Sequence, residues 1–399
     1  MTGTFDHSKR PRFRCRSRSA RHGKPRALLI THSFPPNVGG VEEVVSSLAA
    51  GLRHHPTVSA DVLTLAPAEA SDDARFAPAR ILRGLSLAAI RASTAYDVFV
   101  FHSPVLKLSW LPLLTGKPRI NVIHGRMFDA DDPAQVAAAR SSAPRRAVFH
   151  LTRRLKLAFL KSADLRIAVS AAVADETGPG ARIVHNGCDH STFTCTAPIE
   201  NRDPRRIVFV GRLSPEKGVS VLVDAIRQLE STGEDPHLDV IGDGPCREEL
   251  EARVASAGLS RKVMFLGKLS PSSVAARLND SAIAVVPSLW SEAYGLVGVE
   301  AQACGCAVVA SDVGGLPEAL GEACLLVEPG SASDLARALL ELTDPQTLHR
   351  LAARGQAHAR QATRDEMVRN HAEAMSVVAS RECSRRRRLR RFVTAALRG

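Results

Sequence analysis

Short apolar runs recur along the chain, and between them apolar residues fall three or four positions apart, as on one face of a helix. The first run is Ala27-Leu28-Leu29-Ile30, followed by a Pro/Gly loop and then by Val41, Val44, Val45, Leu48 and Leu52 at helical spacing. Residues 58–65, 98–101, 120–123, 165–169 and 182–184 read as further strands, with helical stretches between several of them. Strands that alternate with helices predict a parallel sheet covered on both faces.

Near Asn201-Arg202-Asp203-Pro204 the composition turns polar and the pattern restarts. Residues 207–210, 238–241, 263–266, 282–286, 307–310 and 323–327 read as strands, 219–229 as a helix, and 333–380 as closing helices. The expected organisation is therefore α/β, with two Rossmann-like doubly wound domains. The first spans 26–200 and the second, with its closing helices, 201–380. Residues 1–25 form an Arg/Ser-rich extension without periodicity, expected to be disordered, and 381–399 a basic tail. Doubly wound sheets bind ligands at the carboxyl ends of their strands, so two such domains face to face predict a cleft lined by those loops.

Charge changes one part of this picture. The net charge of +12 suggests nucleic acid, but residues 1–26 carry +8 and residues 381–399 carry +7. The body between them is close to neutral, so no basic groove for specific nucleic acid is expected. The eight cysteines include no CxxC and no zinc spacing, which points to a reducing compartment. No apolar h-region precedes Ala27 and no apolar run is long enough to cross a bilayer. A cytoplasmic protein is expected.

Five loops at the carboxyl ends of strands carry the candidate chemistry. Phe34 to Glu42 contains Gly39-Gly40 at a helix start, where unpaired amides suit an anion; alone, a plain turn accounts for it as well. Gly211-Arg212-Leu213-Ser214-Pro215-Glu216-Lys217-Gly218 places two cations beside a helix N-terminus, a match for a diphosphate. Glu292, in Ser291-Glu292-Ala293-Tyr294-Gly295-Leu296, and Glu300 on the helix that follows could reach different parts of one extended ligand. A carboxylate among the small apolar residues around Glu300 implies hydrogen bonding to hydroxyls. His124 closes a strand of the first domain, a place that a satisfied strand-end histidine would fill equally well. Asp312-Val313-Gly314-Gly315-Leu316-Pro317-Glu318 supplies a fifth, glycine-rich turn.

Taken in order, these loops identify a family. Residues 26–375 resemble glycosyltransferase family 4, retaining enzymes of group 1 type with the GT-B fold. The match lies in the PPxxGG loop at 35–40, Asn186-Gly187-Cys188-Asp189 and Gly211-Arg212 with Glu216-Lys217-Gly218. It continues through Gly242-Asp243-Gly244-Pro245, Phe265-Leu266-Gly267, the Glu292/Glu300 pair and Gly314-Gly315-Leu316-Pro317-Glu318. The resemblance implies that Arg212 and Lys217 hold the donor diphosphate and stabilise the leaving group. It implies that Glu300 binds the ribose hydroxyls, that Glu292 lies near the transferred sugar with Tyr294, Gly295 and Leu296 completing the donor loop, that Gly39 and Gly40 meet phosphate, and that His124 contacts the donor sugar. It also implies no cofactor and no metal, because Arg and Lys do that work. The chain departs from the pattern at Ala293-Tyr294, usually Gly-Phe; at Gly125, usually Asp; and at His185, usually Pro.

The expected function is transfer of a hexosyl group, with retention, from a UDP- or GDP-sugar to a glycan or lipid-linked acceptor in cell-envelope polysaccharide or glycolipid synthesis. Two other readings stay open: a nucleotide-sugar epimerase on the same fold, and a non-enzymatic nucleic-acid- or membrane-binding protein driven by the basic tails. Asp129-Ala130-Asp131-Asp132 mimics a DxD metal motif but follows no strand directly, and reads as solvated charge. The run Arg385–Arg391 beside Phe392 and Val393, with the basic and apolar segment 145–161, predicts peripheral contact with an anionic membrane.

Overall fold

The computed structural model describes residues 23–35, 39–66, 73–84, 87–103, 106–125 and 143–380. The basic tail at 381–399, the DxD-like run at 129–132, nearly all of the N-terminal extension and Pro36, Asn37 and Val38 of the first loop lie outside the described residues.

Thirteen strands among these residues form two parallel sheets. The first contains β1 (Arg26–Thr31), β2 (Ser59–Thr64), β3 (Ile81–Arg83), β4 (Val98–His102), β5 (Arg119–Ile123), β6 (Leu165–Ala168) and β7 (Ala181–Ile183), in the order β3-β2-β1-β4-β5-β6-β7. The second contains β8 (Arg206–Val210), β9 (His237–Ile241), β10 (Val263–Gly267), β11 (Ile283–Val286), β12 (Ala307–Ser311) and β13 (Leu325–Val327), in the order β10-β9-β8-β11-β12-β13. Both reverse direction of winding beside their first strand, which is the switch point where doubly wound sheets bind ligands. Central strands β4, β5 and β12 are buried at every position, the polar Arg119 and Asn121 of β5 included.

Sequence periodicity misses β3. Its three residues are only half-buried and end on Arg83, whose guanidinium reaches Asp73 at 2.7 Å and the Pro35 carbonyl at 3.0 Å. An edge strand of this length presents too few apolar positions to stand out.

The structure also corrects the grouping of residues 333–380 with the second domain. The helices Ala332–Glu341 and Pro345–Ala359 do join the second core. The helix Arg364–Ala379 instead crosses back, and buries Met367, Val368, Ala372, Ala374, Met375 and Val378 in the core of the first sheet with Val44, Val45 and Leu48. Each large side chain buried there stabilises the docking by about 1.5–3 kcal/mol. Periodicity along one helix states which face is apolar, not which sheet that face meets.

The chain therefore crosses between domains twice, and the two crossings touch. Cys188 bridges Thr363, and its amide donates to the Ala362 carbonyl at 2.8 Å. A side chain at Gly187 would place Cβ 2.3 Å from the Thr363 carbonyl oxygen, so only glycine permits this approach.

Candidate functional site

The loop after β8 is tied at both ends. The Leu213 amide donates to Asp243 and the Cys246 amide to Leu213, both at 3.0 Å, which joins it to the loop after β9. The Leu289 amide donates to the Glu216 carbonyl at 2.8 Å, which joins it to the loop after β11. Between these ties lies a single turn, Pro215–Lys217, capped by Gly218 at φ 67°. A Cβ on Gly218 would lie 1.9 Å from the Pro287 carbonyl oxygen, so this turn needs glycine both for its backbone conformation and for space. The helix Val219–Ser231 begins at once, with Val219 and Leu222 anchoring it in the core.

This framework presents the two expected cations differently. Arg212 is exposed, and its guanidinium has no hydrogen-bond or ion-pair partner among the described residues. Lys217 turns inward and bonds through Nζ to Glu292 Oε1, which also accepts from Ser288 Oγ at 2.7 Å. Glu292 is thus held by a chain of donors, Lys217 and Ser288, from two loops at the carboxyl ends of neighbouring strands. The same loops thus present one open guanidinium, Arg212, and one engaged ammonium, Lys217.

The Glu292 carbonyl accepts from the Gly315 amide at 2.7 Å, which fastens the loop after β11 to the glycine turn after β12. Gly295, at φ 87°, starts the helix Leu296–Ala303, whose first amides lack intrahelical partners. Tyr294 is 4% exposed and stacks on His185 with ring centroids 5.5 Å apart, so its side chain fills a contact between domains rather than an open site. Glu300 lies one turn into the helix. Burial pushes its carboxyl up to about 8, reinforced by the nearby Glu43 carboxylate and opposed by Arg364. Such a group is held largely uncharged near neutral pH.

In the first domain, Gly39 and Gly40 are exposed at the start of the helix Gly40–Leu52. Glu42 and Glu43 occupy its first turn, where the helix dipole favours them. Both are already engaged, Glu42 by Ser33 Oγ and Glu43 by Arg364. His124 follows β5, and His102 ends β4 beside it. His102 Nδ1 and His124 Nε2 are 2.9 Å apart, and the rings stack. Burial holds His124 down to about 3 and His102 well below the usual imidazole range, with nearby histidines adding to the effect. Both rings are therefore neutral, and one donates to the other. Among the described residues, His102 Nε2 is buried without a partner. An orphaned acceptor is tolerated better than an orphaned N–H. That places the His102 proton on Nδ1, donating to His124 Nε2, and leaves His124 Nδ1 as an N–H donor.

Three contacts join the domains at the carboxyl ends of their strands. Ser170 Oγ donates to the Ala293 carbonyl at 2.6 Å, the Ala171 amide donates to Glu318 Oε2 at 2.6 Å, and His185 Nε2 lies 2.7 Å from Glu318 Oε1. Lys217, Glu292, Gly295 and Leu296 are brought together by hydrogen bonds and chain neighbourhood, with Arg212 on the same tied loop. His124 sits with His102 and His371 on the first domain, with no hydrogen bond to that group among the described residues. Sequence reasoning overlooks His102, Ser288 and Arg364. A signal exists for His102: it closes its strand as His124 closes the next. For Arg364 no local signal exists, because its partners are more than a hundred positions away.

Comparison with known proteins gives these loops a context. The model of a family described as glycosyl transferases group 1 matches residues 197–358. The chain is 38% identical over 140 residues to 2-deoxystreptamine glucosyltransferase of Streptomyces kanamyceticus, a match covering 35% of this chain and 36% of that enzyme. It thus spans little more than a third of that relative's length. A D-inositol 3-phosphate glycosyltransferase of Jonesia denitrificans is 30% identical over 292 residues, covering 61% of this chain and 69% of the relative. The crystal structure of Anabaena Alr3699/HepE in complex with UDP and glucose superposes with a TM-score of 0.70 at 22% identity, over 88% of this chain and 99% of that one. That likeness shows the fold, two Rossmann-like domains in the GT-B arrangement. With the family model lying across the whole second sheet and most of the Jonesia relative covered, the chain belongs to the group 1 glycosyltransferases.

Proposed function

We propose that this protein transfers a hexosyl group from a UDP- or GDP-sugar to a glycan or lipid-linked acceptor, with retention of anomeric configuration, as family 4 enzymes do. The observation that carries the reading is the Lys217–Glu292–Ser288 chain beside the open Arg212 and the start of the helix Leu296–Ala303. Arg212, Lys217 and the helix amides receive the diphosphate and stabilise its charge as the glycosidic bond breaks. Glu300 takes the ribose hydroxyls. Glu292, released by Lys217, lies beside the transferred sugar, and His124 donates from Nδ1 to it across the cleft. No side chain pair in this set forms an activated nucleophile with its base. As in the route proposed for family 4, the acceptor's proton passes to the departing phosphate on the same face without a covalent intermediate, a role that needs no enzyme nucleophile. The neighbour solved with UDP and glucose supports a sugar nucleotide as donor.

A screen of UDP-, GDP- and ADP-sugars for thermal stabilisation is expected to yield one that raises the melting temperature, because a ligand bound only by the folded state does so by mass action. The anomeric proton of the product, read by NMR at early times, should retain the donor's configuration, and activity should survive EDTA. An altered free sugar nucleotide with no sugar on any acceptor would instead make the protein an epimerase. An inverted product, or loss in EDTA restored by Mg²⁺ or Mn²⁺, would overturn the mechanism.

The acceptor is proposed to be carried on a lipid at the cytoplasmic face of the membrane. Support comes from the run Arg385–Arg391 and from the helix Ala143–Lys161, where Arg154, Lys156 and Lys161 accompany Val148 and Leu151, 64% and 58% exposed. Anionic surfaces attract such clusters with about 1 kcal/mol per basic residue. The full chain should sediment with anionic vesicles at low salt more than a chain ending at Ser380. Equal, salt-insensitive pelleting would remove the tail from the mechanism.

A further inference from the structure

The two crossings between domains meet at Thr363 and Arg364, and Arg364 is the first residue of the helix that returns to the first domain. Its guanidinium bonds to Glu43 Oε1, and its Nη1 lies 3.1 Å from Asp189 Oδ2. Glu43 stands in the first turn of the helix that Gly39 and Gly40 open, on the first domain. Asp189 lies in the outgoing crossing, where Ser191 Oγ and Thr192 Oγ1 also donate to it at 2.6 and 2.7 Å. The charged and titratable groups that act on Glu300 among the described residues are Glu43, Arg364, Asp189 and the thiols of Cys188 and Cys304. Two carboxylates from two distant parts of the chain thus converge on one cation at the hinge, and the charges of all three act on Glu300.

We propose that Arg364 is a positioning residue for the donor nucleotide, holding Glu43 and Asp189 in a bridge across the hinge that fastens the helix opened by Gly39 and Gly40 and acts on Glu300. The inference rests on the reading of Glu300 as the ribose group. Without Arg364, Glu43 and Asp189 would repel each other and Glu300 with nothing between them, and the phosphate-facing helix start would carry an unpaired carboxylate. With it, the bridge fastens the phosphate-facing helix of the first domain to the crossing that leads into the second. A role in folding alone predicts a different pattern. In that case Arg364 would fix the returning helix, and its loss would lower stability without altering how nucleotide binding depends on pH.

The test measures binding of UDP and GDP by calorimetry from about pH 6 to 9, with kcat and KM for the donor, in wild type, Arg364→Met, Arg364→Lys and the double variant Glu43→Gln/Arg364→Met. Losing the bridge should weaken nucleotide affinity about ten- to hundredfold, the scale of charge-assisted hydrogen bonds, and raise KM more than it lowers kcat. The pH at which affinity reaches half its maximum should move upward in Arg364→Met, since the guanidinium favours the charged form of Glu300. Arg364→Lys should restore the pH profile in part, and the double variant should recover part of the affinity. If Arg364→Met does not fold, the double variant carries the same comparison. Unchanged affinity, or weakened affinity with an unmoved pH profile, would overturn the proposal. Failure of the wild type to bind either nucleotide would strike the reading of the donor site instead, and a bound nucleotide indifferent to Arg364 would strike only this one.

Discussion

Replacing Lys217 with alanine is expected to cut turnover by about a hundredfold or more, the usual result of deleting one contact to charge that develops in the transition state. Arg212→Ala should do the same. The two variants should differ in everything else. The Arg212 guanidinium has no hydrogen-bond or ion-pair partner among the described residues, so its removal costs the folded protein almost nothing and should leave the melting temperature where it was. Lys217 neutralises Glu292, and its loss leaves that carboxylate with Ser288 as its remaining donor. Lys217→Ala should therefore lower stability, and Glu292→Gln in the same chain should restore it without restoring turnover. On the proposed reading a diphosphate competes with Glu292 for the lysine, and the ion pair keeps Nζ aimed before the donor arrives. Steady-state kinetics and thermal unfolding of the four proteins decide the matter. Near-normal turnover in both single variants would remove the diphosphate from this loop.

Much of this arrangement could be read from the chain, for identifiable reasons. Buried parallel strands are short apolar runs, and a doubly wound sheet puts every functional loop directly after such a run. Arg212, Glu292 and His124 were found by that position alone. Glycines at 218 and 295 take the left-handed backbone conformation that other residues resist, and each opens a helix at the site. What could not be read depends on distance along the sequence. Lys217 meets Glu292 across 75 positions, His185 meets Glu318 across 133, and Arg364 meets Glu43 across 321. No periodicity encodes such pairs. The acidic start of the helix Gly40–Leu52 shows the cost. In sequence, Glu42 and Glu43 are ordinary first-turn acids, and they become part of the site only when the last helix brings an arginine onto them. The assignment of that helix to the second domain failed for the same reason: its apolar face was evident, and its destination was not.

The pH dependence of donor use should carry the mark of Glu300. In the ligand-free protein its carboxyl is pushed up to about 8, first by burial and then by Glu43. To accept from two ribose hydroxyls it is best ionised, so kcat/KM for the donor, which reports groups of the free enzyme, should rise with pH and level off above about 8. Stability should move the other way. A carboxyl whose folded value lies above its ordinary 4.5 binds its proton more tightly when folded. That contribution to stability is fully present below the unfolded value and is lost as pH rises through about 8. The ligand-free protein should therefore melt at lower temperature at pH 8.5 than at pH 6 if other groups contribute little over that interval, and bound nucleotide should close the gap. Glu300→Gln separates the two effects. It keeps the shape and removes the titration, so it should flatten the stability profile and abolish the rise in kcat/KM. Donor affinity should fall by about ten- to hundredfold where the wild type is ionised, because hydrogen bonds to a charged acceptor are worth roughly 1.5–3 kcal/mol. Below about pH 6.5, where the wild-type carboxyl is itself protonated, variant and wild type should converge. A variant that loses affinity equally at every pH would mean that Glu300 is ionised throughout. One that loses none would mean that the ribose lies elsewhere.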